Sequence, residues 1–213
     1  SRQAMASVDE DFTYLRIPAD ASDPLEELKA EGGWAGDQIP ELVKPRFAGG
    51  KLDDRAVAEA AHKSLGDAGA RLNGDAFRSA VAEGSVETFP LVHPSESNSY
   101  EGVYAYLDEC GLLKSLPPNP RATALAGACG MSDAKFHGDV FVGRVRIKPS
   151  PARNMSFTIT DMASDAEWLR RAPAENADYH MELRRVQEAA ERKAPGQGAE
   201  PEGVDTCRDS DGR

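Results

Sequence analysis

No stretch of this chain approaches the ~20 consecutive apolar residues that a membrane-crossing helix requires, and no apolar core with a basic flank marks a secretory signal. Aliphatic and aromatic residues are scarce as well: Leu, Ile, Val and Phe together make up 38 of 213 residues. Combined with a net charge of −11, that scarcity lies near the compositions that fail to fold throughout. A compact core of ~100–130 residues with poorly buried appendages is therefore expected. Clustered cations are missing too. The short basic spots at Arg144/Arg146/Lys148, Arg170/Arg171 and Arg184/Arg185 are flanked by acids, and a sequence pI of 4.9 argues against a nucleic-acid partner, because phosphate binding needs a basic track. Cys110, Cys129 and Cys207 are widely spaced and odd in number, which gives neither a zinc pattern nor a disulfide framework. A reducing, intracellular setting follows. The chain begins at Ser1, so an upstream segment is expected to precede it. A mitochondrial or plastid protein that has lost a targeting segment would fit.

The richest stretch is 86–147, and the rest reads as attachments to it. Residues 86–92 and 102–108 form a predicted hairpin with a long loop. In the second strand Val103, Ala105 and Leu107 alternate with Tyr104, Tyr106 and Asp108, giving one aliphatic and one aromatic-polar face. Asn119-Pro120 reads as an N-cap followed by proline at the first helical position, and residues 138–147 form the last long strand. A short edge strand is expected near 154–159.

Before this region, residues 12–17 fit a strand or an extended arm. Ser22-Asp23-Pro24 opens a predicted helix over LEELKAE, ended by Gly32-Gly33. Residues 34–50 have no stable period, and anchors at Trp34, Ile39, Leu42, Val43 and Phe47 suggest either a loop over the chain's own core or an arm for a groove on another protein. Asp53 or Asp54 caps a predicted helix to about residue 72, and a second runs over 75–82. After the sheet, Ser164 and Glu167 make a predicted capping box, Pro173 interrupts that helix, and 174–193 carries a narrow stripe of Tyr179, Leu183, Val186 and Ala190. Residues 194–213 are expected to be disordered. The organisation thus reads as 1–50 arm, 51–84 helical segment, 85–160 α+β core, 161–193 C-terminal helices and 194–213 acidic tail.

The run VETFPLV, then VYAYLDECGLLKSLPPNPRATALAGACG, then FHGDVFVGR resembles an uncharacterised domain family of phage, plasmid and large algal-virus genomes. The matching residues include Tyr106, Asp108, Glu109, Gly111, Lys114, Leu116, Pro117, Asn119, Arg121, Ala122, Gly138, Asp139 and Val142. The resemblance covers 86–147 and implies a small α+β module, with no chemistry attached.

Three groupings carry candidate chemistry. Cys110, His137 and Asp139 supply a thiol, an imidazole and a carboxylate, the types a nucleophile–base–orienter set needs, although Asp108 and Glu109 beside Cys110 oppose thiolate formation. Asp108, Glu109 and Asp139 offer oxygens to a hard cation, at a spacing that matches no known loop. Asn119 and Arg121 stand at a helix start, where an anion can bind, but a cap and a solvent charge explain the same residues and are the favoured reading.

The sequence therefore predicts an α+β protein with a small, mainly antiparallel sheet and a packed helix, flanked by helices and extended arms. It is read as a non-catalytic accessory or scaffolding subunit of a larger intracellular assembly, with no cofactor. Trp34, Ile39, Leu42, Phe47, Tyr179, Leu183 and Val186 would contact other protein subunits. The alternative is an enzyme or small-ligand-binding domain with a site near Cys110, His137 and Asp139. A third reading makes the acidic surface a docking face for a basic partner.

Overall fold

A computed structural model describes residues 11–31, 36–59 and 74–193. The chain divides into two units, Ser1–Tyr179 and His180–Arg213. In the first, a six-stranded sheet carries β1 (Phe12–Ile17), β2 (Glu26–Ala30), β3 (Val86–Val92), β4 (Glu101–Asp108), β5 (Val140–Arg146) and β6 (Arg153–Met155), in the order β2-β1-β5-β4-β3 with β6 also paired to β5. Every pairing is antiparallel. Among the described residues the helices are α1 (Ile39–Phe47), α2 (Gly74–Glu83), α3 (Pro120–Ala128) and α4 (Glu167–Lys193), together with helical residues 54–59. The α+β class is as the sequence implies.

Strand alternation sorts the core into two layers. Leu15, Ile17, Val103, Ala105, Leu107, Val140 and Val142 lie in one cluster with Leu125 and Ala126 of α3 and Leu169 and Ala172 of α4. Phe12, Tyr14, Tyr106 and Phe141 lie in the other with Ile39, Val43 and Phe47 of α1. Because successive side chains on a strand face opposite ways, the sheet is covered by helix on both faces. That accounts for folding at so low an aliphatic content. Both layers are apolar, and the tyrosines and phenylalanines fill the second.

Several boundaries differ from expectation. Residues 12–17 are an interior strand: β1 pairs β5 through Leu15↔Val142, Arg16↔Phe141 and Ile17↔Val140, and β2 on its other side. The expected helix over LEELKAE is instead β2, because hydrogen bonding to β1 outweighs the helix propensity of Glu, Leu, Lys and Ala. The expected arm at 34–50 contains α1, with Ile39, Val43 and Phe47 buried four residues apart, one face of a helix. Within that stretch, residues 12–17 and 26–30 are strands of the sheet and residues 39–47 are a helix packed on it. α4 begins at Glu167 and continues through Pro173, since packing of Leu169, Ala172 and Asn176 holds the helix on both sides of the proline. Asp53 does cap, its Oδ1 accepting from Arg55 N–H at 2.9 Å and Ala56 N–H at 3.2 Å. The remainder of that helix (60–72), Trp34, Gly32-Gly33 and the 194–213 tail lie outside the described residues.

Candidate functional site

The motif residues of 106–122 and 138–142 converge in space. β4 ends at Asp108, whose Oδ1 accepts from the Cys110 N–H at 2.9 Å. The chain then tightens through Gly111 N–H to Asp108 O (2.9 Å), Lys114 N–H to Cys110 O (2.9 Å) and Leu116 N–H to Gly111 O (3.0 Å). This coil turns Lys114 back under the strand. Its ammonium donates to Asp108 Oδ2 at 2.6 Å and to Phe47 O at 2.5 Å, with side chains only 4% and 3% exposed. The pair ties the β4 turn to the end of α1.

Asn119 uses its whole amide. Oδ1 accepts from Ala122 N–H at 3.0 Å, capping α3, while Nδ2 donates to Ile17 O at 2.9 Å and Gly138 O at 3.0 Å. Arg121 donates to the carbonyls of Asp23 and Pro18, each at 2.8 Å, and Asp20 at 2.9 Å. The cap is as the sequence implies, but Arg121 is no solvent charge, nor is it left for an anion; it closes the β1–β2 loop. Gly138 sits at φ +73°, and a Cβ there would meet Leu116 Cδ1 at 2.6 Å, which explains glycine at that position. Asp139 follows, with Oδ1 accepting from Ala19 N–H at 3.0 Å and Oδ2 from Arg16 Nε at 2.9 Å and Nη2 at 2.7 Å.

These elements surround a cleft of about 440 Å³, within the size range of small-molecule sites. It is lined by Arg16, Arg46, Phe47, Gly49, Gly50, Lys114 and Asp139, with Asp108, Leu116, Pro117 and Phe141 also in the lining. The Phe47 and Phe141 rings meet edge-on at 5.6 Å.

The expected nucleophile set is not assembled. Asp139 lines the cleft, whereas Cys110 and His137 do not. No described hydrogen bond joins the three. Burial, and then the charge of Asp108, pushes the Cys110 thiol up from its ordinary value, the wrong direction for a nucleophile. Burial pushes Cys129 up to about 12. The cation set fails on geometry as well: Asp108 is held by Lys114, Glu109 by Ser85 and Asp139 by Arg16. Among the described residues, no group of three or more His, Cys, Asp or Glu is placed to hold a metal ion.

The proposed partner contacts divide. Ile39 and Phe47 are buried against the chain's own sheet, so neither is available to another protein; Trp34 lies outside the described residues. Leu42 is exposed on α1, as are Tyr179, Leu183 and Val186 on α4. Tyr179 stacks on His93 at 3.7 Å with planes 9° apart. Sequence reasoning missed Arg16, Arg46 and the Gly49-Gly50 pair. The glycines carried the only local signal, since two in succession favour the positive φ they adopt, +78° and +101°. No described helix is long and apolar enough to cross a membrane.

No family model matches the chain, and no curated protein matches it. Among solved structures it is similar to the small RNA methyltransferase HEN1, at 13% identity and a TM-score of 0.37 over 75% of this chain. The chain spans 16% of that protein's length. A likeness of this degree carries no argument about function.

Proposed function

We propose that the protein is a non-catalytic accessory subunit that docks a helix of another, more basic subunit along the outer half of α4. The observation that carries this is the register of α4. Leu169, Ala172 and Asn176, the buried positions of its first half, are spaced three and four apart, and the same spacing continues through Tyr179, Leu183, Val186 and Ala190. That is an a/d heptad seam. From Ala177 to Ala190 every side chain is exposed, with Leu183 at 41% and Val186 at 56%.

A helical segment of this length gains little from propensity alone, and its Arg185–Glu182 ion pair at 3.4 Å is an exposed contact worth little. Burying Leu183 and Val186 in a partner seam would supply about 1.5–3 kcal/mol apiece. A net charge of −11 per copy opposes pairing of the helix with itself and favours a basic partner. An intracellular location, organelle interiors included, accords with the buried free thiols of Cys110 and Cys129.

The test is the native mass and composition of the protein purified gently from its source. Companions at fixed stoichiometry are expected, together with a mass far above 22.9 kDa. Leu183→Glu with Val186→Glu should release those companions while leaving the circular dichroism of residues 11–179 unchanged. A lone monomer, a homodimer, or companions retained by the double variant would each overturn the reading.

A further inference from the structure

We propose that the cleft bounded by α1, the 108–117 turn and the start of β5 binds a small organic anion, an oxyanion (carboxylate or phosphate monoester) carried on an apolar body. The first support is the balance of hydrogen-bonding groups. Both carboxylates in the lining are already held by protein donors: Asp108 by the Cys110 N–H and Lys114, Asp139 by the Ala19 N–H and Arg16. The cations are not used up. An ammonium has three donors, and Lys114 commits two, to Phe47 O and Asp108. A guanidinium has five N–H groups, and Arg16 commits one from each nitrogen, to Asp139 and to Glu26 beyond the cleft. The uncommitted groups are donors, so the ligand that fits is rich in acceptors.

The second support is Arg46. It lines the cleft and is exposed, yet it has no carboxylate partner among the described residues. An unpaired guanidinium lining a concave site pairs bidentately with an oxyanion.

The third support is shape. Gly49 and Gly50 line the cleft, where a Cβ on Gly49 would meet nothing within 4 Å and one on Gly50 would press on Lys114 Cδ at 3.3 Å. Leu116 and Pro117 share the lining and, unlike the buried Phe47 and Phe141, offer an accessible apolar wall that inorganic phosphate would leave uncovered. The ion therefore sits at Arg46 with its second contact on Arg16 or Lys114, and the apolar body lies against Leu116 and Pro117.

The experiment uses ¹⁵N amide spectra of the full chain titrated with phenyl phosphate, benzoate, inorganic phosphate and benzyl alcohol. Phenyl phosphate or benzoate is expected to shift the Gly49, Gly50 and Asp139 amides, and the tighter of the two identifies the headgroup. Arg46→Glu should weaken that binding by at least about tenfold, with Arg46→Gln intermediate and the remaining amides unmoved. The assignment is overturned if neither anion shifts these amides, if benzyl alcohol or inorganic phosphate does so equally well, or if Arg46→Glu binds as the parent does.

Discussion

Removing the Lys114 ammonium isolates the feature that joins α1 to the sheet. Lys114→Met keeps the length and the apolar stem but strips two contacts, 2.6 Å to Asp108 Oδ2 and 2.5 Å to Phe47 O. Asp108 is then left as a buried carboxylate with only the Cys110 N–H at 2.9 Å. Breaking a buried pair by removing one partner costs about 3–5 kcal/mol, chiefly because the other charge is stranded. With a urea slope of about 2 kcal/mol/M for a domain of this size, the unfolding midpoint should fall by about 1.5–2.5 M. Adding Asp108→Asn removes the stranded charge and keeps an acceptor for Cys110. The double variant is therefore expected to unfold within about 2 kcal/mol of the parent, a coupling that a double-mutant cycle reads directly. A single-variant loss below about 1 kcal/mol, the scale of a solvent-exposed pair, would refute the claim that this contact is buried and anchors α1.

Two further outcomes can be checked with the same material. Burial raises the Asp37 pKa, against the lowering pull of the hydrogen bonds from Tyr106 (2.7 Å) and the Ile39 N–H (3.2 Å). The folded state therefore holds a proton more tightly than the unfolded one, and the stability of the parent relative to Asp37→Asn should rise as pH falls through the raised value, levelling below the ordinary carboxylate value. A gap that stays constant or shrinks on acidification, in urea titrations across that range, would contradict this sign. Cys110 and Cys129, both buried with raised pKa values, should resist iodoacetamide in the native protein and react only on unfolding. Rapid native labelling of Cys110, mapped by peptide mass, would reopen the nucleophile reading.

Much of the sheet was legible because its signals are local. Alternation marks β4 and β5, and their observed faces follow it, with Ala105 and Val142 in one layer and Tyr106 and Phe141 in the other. Asn119-Pro120 announced α3, and the cap is made by the Asn119 side chain as that pair implies. α1 was missed although Ile39, Val43 and Phe47 carry a helical spacing, because Pro40 and Pro45 obscure it; Pro40 sits in the first turn, where its missing N–H is harmless, and Pro45 is tolerated on a helix whose buried face is complete. β2 was missed for the opposite reason. Its residues favour helix, and only a neighbour ten or more positions away makes a strand of them.

The cleft belongs to the second kind of information. Lys114 and Asp108 are six residues apart, and their motif was visible, but the sequence did not say that the ammonium also grips Phe47 O, 67 residues away. Arg16 meets Asp139 across 123 residues, and nothing near either one in the chain signals the other. By itself the sequence determined the strand faces, the α3 cap and the α4 stripe, since each depends on periodicity or on backbone angles within a few residues. The tertiary structure alone decided that residues 12–30 complete the sheet and that residues 39–47 cover its aromatic face. It also decided which charges are buried as pairs and that Arg46 remains unpaired among the described residues, because those outcomes depend on which distant segments exclude water from one another.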